Sequence, residues 1–252
     1  MEQFVHEIVE RNVERFLALW SNQHNVRLDD PILGRFDGLQ NIKDFFIKAS
    51  NQFVHPVENV NLIRSIPGNQ IALECLAKRK SDKLQATIPL VIVFDLNNEE
   101  KIIWARIYHG TWILKNASSI RKPLLKKDPS IKLKDVVGQY QKALGEGNIE
   151  AIVQIFSEDG YIRPPSGDKF AMKGLVNIEK FFQELFSFGG GAKLEHCTVI
   201  DDGINCAIEF NIVKVGKYKV SRSKTNGIMG VSADIVDVKI SDRYLGVYTS
   251  NL

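Results

Sequence analysis

Asp30 is the side chain best placed to move a proton in this 252-residue sequence. It sits in Asp29-Asp30-Pro31-Ile32-Leu33-Gly34, at the end of an extended stretch that begins at His24. Val26, Leu28 and Asp30 alternate there, so a strand carries all three on one face. A carboxylate on an apolar face is a general-base candidate, because burial disfavours its charged form. A simpler role competes and is preferred: an aspartate before proline closes a turn with its side chain. Arg27 and Arg163 either bind a ligand carboxylate or pair with Glu14 and Glu150, and the ion pairs are preferred because both partners recur. His196 alternates with Leu194 and Thr198, with Glu209 or Tyr161 as partner, and His109 follows Tyr108 near the end of a strand-like run. Neither histidine has a recognisable triad context, so structural roles are preferred for both. Neither His-x-His nor a His-plus-carboxylate helical pair occurs, and no metal site is expected. Gly189-Gly190-Gly191 lacks the Lys and Ser/Thr of a phosphate loop and reads as a mobile link or lid, so no cofactor is expected.

The elements that must position these residues are revealed by an internal repeat. Gly38-Leu39-Gln40-Asn41-Ile42-Lys43-Asp44-Phe45-Phe46 returns as Gly174-Leu175-Val176-Asn177-Ile178-Glu179-Lys180-Phe181-Phe182, a shift of 136 positions. At that shift residues 1–46 and 137–182 share twelve identities, among them Asn12, Glu14, Arg27 and Gly38, where chance gives roughly three. Substitutions keep size, as in Leu19 against Ile155 and Trp20 against Phe156. Further on the shift falls to 135 at Ala72-Leu73-Glu74 and 133 at Arg106-Ile107, matched to Lys239-Ile240, the drift that loop-length changes produce. The sequence therefore reads as two copies of one domain, residues 1–114 and 134–252, joined by a basic linker over 115–133. Each copy is long enough for its own core.

Composition is that of an ordinary globular protein, 44% hydrophobic and 25% charged. A net charge of +3 from 33 basic and 30 acidic residues is too small to argue for nucleic acid. The densest basic stretch, Lys115 to Lys134, coincides with the linker and reads as a solvated connector. No apolar run reaches membrane-span length and the N-terminus is acidic, so neither a membrane partner nor a leader is expected and a cytoplasmic location is. Cys75, Cys197 and Cys206 form neither a metal spacing nor a disulfide framework and read as buried thiols.

Within each copy, residues 3–20 and 136–156 read as two short helices, broken at Arg11-Asn12 and at Gly147-Asn148. An extended stretch follows, ending at proline. Gly38 and Gly174 then precede an amphipathic helix with Ile42, Phe45 and Phe46 on one stripe, capped by Asn41 or Asn177. β-rich segments complete each copy, over Asn59–Ile66, Ile71–Arg79, Lys83–Leu96 and Lys101–Tyr108 in the first and over Lys193–Ile200, Ile204–Val215, Lys219–Arg222, Asn226–Val231 and Ile235–Ile240 in the second. Helices first and a meander afterwards predict α+β layering.

That order, with Gly-Leu-x-Asn-Ile-x-x-Phe-Phe after the first strand and Arg106-Ile107-Tyr108 at the end, resembles the cone-barrel superfamily of ketosteroid isomerase, SnoaL-type polyketide cyclases and nuclear transport factor two. In the second copy Asp159-Gly160-Tyr161-Ile162-Arg163-Pro164 and Leu194-Glu195-His196-Cys197 are similar to a SnoaL-like branch. The resemblance implies two tandem cone-shaped α+β barrels, each with helices packed on a curved, mostly antiparallel sheet and an apolar pocket between them. It implies binding of a small apolar molecule, with isomerase, cyclase or lyase chemistry through Asp30, whose Asp-Pro context resembles that of the proton-moving aspartate of ketosteroid isomerase. Arg27, Tyr108, His109, Tyr161, Arg163, His196 and Glu209 are then the pocket candidates. The copies are expected to pair within the chain, with a homodimer as the alternative. The first helix of copy one lacks a tyrosine donor and Ser166 stands where Asp30 would recur, so a non-catalytic binding or interaction scaffold competes. An enzyme predicts Asp30 beside a second donor in a dry site, whereas a scaffold predicts pockets filled by aromatic rings, or a polar one with no convergent acid–base pair.

Overall fold

In the computed structural model the described residues are 1–22, 25–65, 68–80, 85–109, 124–163, 171–187, 189–219, 236–240 and 243–249. They form two compact α+β units, the first drawn mainly from residues 1–119 and the second mainly from residues 120–252. No helix among these residues is long and apolar enough to cross a membrane.

The first unit runs α1 (Gln3–Val9), α2 (Val13–Ala18), β1 (Arg27–Asp30), β2 (Gly34–Asp37), α3 (Leu39–Ser50), β3 (Phe53–Arg64), β4 (Gln70–Lys80), β5 (Gln85–Leu96) and β6 (Ile102–His109). Its sheet has the order β2-β1-β6-β5-β4-β3. Neighbours are antiparallel except β1 and β6, which run parallel through Arg27 opposite Trp104, Leu28 opposite Ala105 and Asp29 opposite Arg106. Register shifts in β3 between Val54 and Val57 and between Asn59 and Asn61 are bulges, which bend a strand and help curl the sheet. One face of that sheet carries Leu28, Ile71, Leu73, Leu90, Ile92, Phe94, Ala105 and Ile107 into a core closed by Phe4, Ile8, Phe16, Ile42 and Phe45 from the helices. The rings touch one another: Phe4 lies 5.0 Å from Phe16 and 5.2 Å from Phe94, and Phe16 lies 5.1 Å from Phe46. Truncating one such ring to alanine typically costs about 3–5 kcal/mol, so this cluster dominates the apolar stabilisation of the unit.

The second unit runs α4 (Asp135–Glu146), α5 (Ile149–Ile155), β7 (Tyr161–Arg163), β8 (Met172–Lys173), α6 (Leu175–Phe186), β9 (Ala192–Asp201), β10 (Asn205–Val215), β11 (Tyr218–Lys219), β12 (Val236–Ile240) and β13 (Arg243–Thr249). Here the order is β11-β10-β13-β12-β7-β8, with β9 also paired to β10. β12 lies against β7 and runs antiparallel to it, whereas β6 runs parallel to β1. The alignment of Arg106-Ile107 with Lys239-Ile240 therefore matches strands beside the same neighbour but opposite in direction, and β13 is a strand the repeat did not anticipate. Most of the β-rich segments expected over 219–231 lie outside the described residues, as do Pro164, Pro165 and Ser166. Residues 124–133 are tied to the second sheet, since the Asp128 amide donates to the His196 carbonyl at 2.9 Å and Asn211 Nδ2 donates to the Leu125 carbonyl at 3.1 Å.

Local chemistry explains the helix starts. Asn12 caps α2 by accepting from the Arg15 amide at 3.1 Å, and Asn148 caps α5 by accepting from the Ala151 amide at 3.0 Å. The preceding residues, Arg11 and Gly147, both take left-handed conformations, at φ 57° and 71°. In contrast, Asn41 and Asn177 are not N-caps. Gly38 and Gly174 occupy that position, and the asparagine amides donate backwards to the Asp37 and Lys173 carbonyls at 2.7 and 2.8 Å. In the glycine triplet Gly191 packs closely against α4, since an added Cβ would strike the Leu144 carbonyl oxygen.

Gly38 sits at φ 83° and ψ 155°, a region open in practice only to glycine, with no atom within 4 Å of an added Cβ. Gly38→Ala therefore meets torsional strain without a clash. A loss of about 1–3 kcal/mol in unfolding free energy is expected, read from the urea midpoint of the first unit.

Candidate functional site

The last residues of β1 and β6 meet on the core face of the first sheet. Asp30 and His109 share the parity of Leu28, Ala105 and Ile107, so the pleat directs both inward. Asp30 Oδ2 lies 3.9 Å from His109 Nε2, and both side chains are wholly buried. The other carboxylate oxygen, Oδ1, accepts from the amides of Ile32 and Leu33, each at 2.7 Å. Asp30 thus closes the turn into β2 with one oxygen and faces an imidazole with the other. Ile92, Leu90 and Cys75 lie across the neighbouring strands on the same face. Burial pushes the Cys75 thiol far above its ordinary range, with Glu74 adding to the shift, so Cys75 behaves as an apolar group.

The opposite face of the same strands carries a polar ladder. Arg27 lies against Asp29, with NH2 donating to Oδ1 at 2.9 Å and Nε 2.6 Å from Oδ2. Trp104 Nε1 donates to Asp29 Oδ2 at 2.7 Å, crossing from β6 to β1. The Trp104 ring is stacked by two guanidinium groups, those of Arg27 and Arg106, each 4.4 Å from its centroid. Arg106, fully buried, forms a bidentate pair with Asp95 at 2.8 and 3.0 Å, and Gln70 Nε2 donates to Asp95 Oδ1 at 2.9 Å. Arg27 is therefore paired with Asp29 and not with Glu14, because strand neighbours two residues apart share a face. Tyr108 is buried, but alternation puts it on the face opposite His109, so the two do not line one site.

In the second unit His196 Nε2 lies 3.3 Å from Gln141 Oε1 of α4. This replaces the expected partners. Glu209 alternates with the core residues Ile208 and Phe210 and so belongs to the other face, where it and Glu195 add to the burial that pushes the Cys197 thiol up to about 11. Tyr161 and Arg163 flank the core residue Ile162 and likewise lie on the strand face turned away from it. Arg163 is buried in register with Asp237, and Glu150 accepts from Gln154 on its own helix at 3.4 Å. Among the described residues no group of three or more His, Cys, Asp or Glu side chains is arranged to hold a metal ion.

Of the candidate residues, the structure joins Asp30 to His109. Gln141, Trp104, Asp95, Arg106 and Gln70 were not apparent as site residues from the sequence, although the alternating Arg27, Asp29 and the alternating Trp104, Arg106 carried the signal of a polar outer face. No family model matches the chain, and no curated protein matches it. Among solved structures it is similar to a hypothetical protein with a ketosteroid isomerase-like fold from Catenulispora acidiphila, in complex with trimethylamine, at 12% identity and TM-score 0.39, over 45% of this chain and 86% of that one. It is similar to the epoxide hydrolase/cyclase-like enzyme SalBIII of pyran ring formation in the polyether salinomycin, at 19% identity and TM-score 0.39, over 44% and 88% of the two chains. A Mycobacterium tuberculosis protein in complex with estradiol-17beta-hemisuccinate matches at 18% identity and TM-score 0.38, over 44% and 92%.

Two outcomes are expected from these geometries. Asp95→Asn removes the counter-ion of a fully buried guanidinium and should lower stability by about 3 kcal/mol in urea unfolding, the low end for breaking a buried pair because Asp95 is itself one-fifth exposed. Burial, and secondarily Lys127, hold His196 below the usual histidine value. A histidine depressed in the folded state binds fewer protons there than when unfolded. Its contribution is full above pH about 6.5 and is lost as pH falls through the folded value. His196→Gln should flatten the acid side of the stability–pH curve of the second unit; a curve unchanged below pH about 6.5 would show that another group sets it.

Proposed function

We propose that the first unit binds a small apolar molecule and moves a proton on it, as an isomerase, cyclase or lyase, with Asp30 as base and His109 as the group that shares its proton. The observation that carries this reading is the fully buried Asp30–His109 pair, 3.9 Å apart on the apolar face of the sheet. Asp30 is oriented by two backbone amides, so its imidazole-facing oxygen has a defined direction without a further side chain. A carbonyl compound with an acidic α-proton suits the pair: Asp30 removes the proton, His109 balances the charge, and the proton returns at a second carbon.

A second reading is favoured by a different observation. The interior of the first unit is filled by contacting rings, Phe36 on Phe45 at 5.4 Å as well as the Phe4 and Phe16 contacts, and Asp30 already serves its turn. On that reading the unit is a non-catalytic binding or interaction scaffold. We also infer that the chain is a tandem of two copies of one cone-barrel domain. This is supported by the matched left-handed residues Arg11 and Gly147, the matched caps Asn12 and Asn148, and the matched glycines Gly38 and Gly174 at φ 83° and 78°.

A cyclic β,γ-unsaturated ketone serves as probe, its isomerisation followed by the rise in conjugated-enone absorbance. Asp30→Asn should reduce kcat by about 100-fold or more, the usual contribution of a positioned base. His109→Gln should reduce it less and shift the acid limb of the pH profile. Turnover by the unaltered protein that survives Asp30→Asn, or no turnover at all across a panel of such ketones, would favour the scaffold.

A further inference from the structure

We propose that the second unit holds a binding site for a small uncharged molecule with a carbonyl oxygen, the Gln141 side-chain amide donating to that oxygen and the His196 imidazole orienting the amide. The site lies in a different unit from Asp30 and does not depend on the acid–base reading.

Gln141 is on the buried face of α4 and only 8% exposed, and its side chain crosses to β9, where Oε1 lies 3.3 Å from His196 Nε2. The carboxamide nitrogen is buried too and has no hydrogen-bond partner among the described residues. An amide donor kept from water without a partner is destabilising, so its presence calls for an acceptor. Packing does not call for it. At the shift of 136 the counterpart of Gln141 is Val5, which is 1% exposed and belongs to the apolar core of the first unit. A valine fills that helix position in one half, so the carboxamide in the other brings a hydrogen-bonding capacity that helix packing does not require.

The surroundings of the pair suit a mostly apolar molecule. Alternation puts Leu194, His196 and Thr198 on one face of β9. Cys197, on the other face, has its Sγ 3.4 Å from Asn211 Nδ2 of β10, so His196 shares its side of the sheet with the core residues Ile208 and Phe210. His196 itself is partly exposed, which leaves the pair in touch with solvent. The charge of the ligand follows from the basic groups. Burial, and secondarily Lys127, hold His196 below the usual histidine value, and Lys127 is engaged with Glu195 at 3.9 Å. An anion finds a free cation in neither, whereas a carbonyl needs only the N–H that Gln141 supplies.

The test titrates the full chain, isotope-labelled in its glutamine side chains and backbone amides, with cyclohexanone and ε-caprolactam. Methylenecyclohexane, a ring of similar shape without the oxygen, is the control. Expected with both carbonyl compounds is a saturable shift of the Gln141 side-chain amide and of the Thr198 backbone amide, with affinity for the control about tenfold weaker or more. Gln141→Leu, apolar as Val5 is, should lose about tenfold or more in cyclohexanone affinity read at Thr198, while the Ile208 and Phe182 signals keep their folded positions. If that variant does not fold, Gln141→Met, which keeps the length of the side chain, is read by the same criterion. The proposal is overturned by the absence of a saturable shift at Gln141 with either carbonyl compound, by equal affinity for methylenecyclohexane, or by unchanged affinity in the apolar variant. Backbone signals of Ala105 and Ile107 report binding to the first unit separately, so a failure at Gln141 leaves the reading of Asp30 standing and a success there lends it nothing.

Discussion

Two carboxylates side by side in one strand cannot occupy one environment, because the pleat sends successive side chains to opposite faces. In β1 that constraint places Asp29 among Arg27 and Trp104 on the outer face and Asp30 among apolar residues on the inner one. Each burial is tolerable only with partners, since an uncompensated buried charge costs several kcal/mol. Asp29 has a guanidinium and an indole N–H; Asp30 has two amides and an imidazole. The parallel contact of β1 with β6 brings these partners into range, and the rest of the first unit is arranged around it. Phe36 of β2 and Phe45 of α3 pack together just beyond, where the chain turns back from Pro31.

The two halves build corresponding local features with different residues. Arg11 adopts the left-handed conformation that Gly147 adopts in the other half, and the asparagine that follows caps the next helix in both. An arginine tolerates that conformation at a strain cost that glycine avoids. The halves differ more in their sheets: β6 runs parallel to β1, whereas the strand beside β7 runs antiparallel. Chemistry follows topology. The second unit has a part-buried histidine contact across the layer, His196 to Gln141 on a helix, instead of between strand ends. A carboxamide supplies hydrogen bonding without a mobile proton, whereas the histidine of the first unit faces a carboxylate.

Much of this was legible in the sequence. The two short helices, the break at Asn12 and Asn148, the amphipathic third helix and the β meander each follow from local patterns of apolar spacing, capping and turns. Alternation already placed Asp30 with Leu28. What stayed hidden were relations between distant segments: Trp104 with Asp29, Arg106 with Asp95, His196 with Gln141. Asn41 and Asn177 misled because asparagine serves equally well by donating backwards to a carbonyl as by capping forwards.

By itself the sequence determined periodicity, and periodicity decides which side chains share a face of one strand or helix. It determined the internal repeat, the turn at Asp30-Pro31 and the apolar stripe that covers the sheet. Only the tertiary structure decided which faces meet. The pairing of β1 with β6 joins residues about 80 positions apart and brings Asp30 to His109. Nothing local encodes that pairing, because strand register is settled by the summed contacts of both faces at once: rings on one side, the Arg27, Trp104 and Arg106 stack on the other.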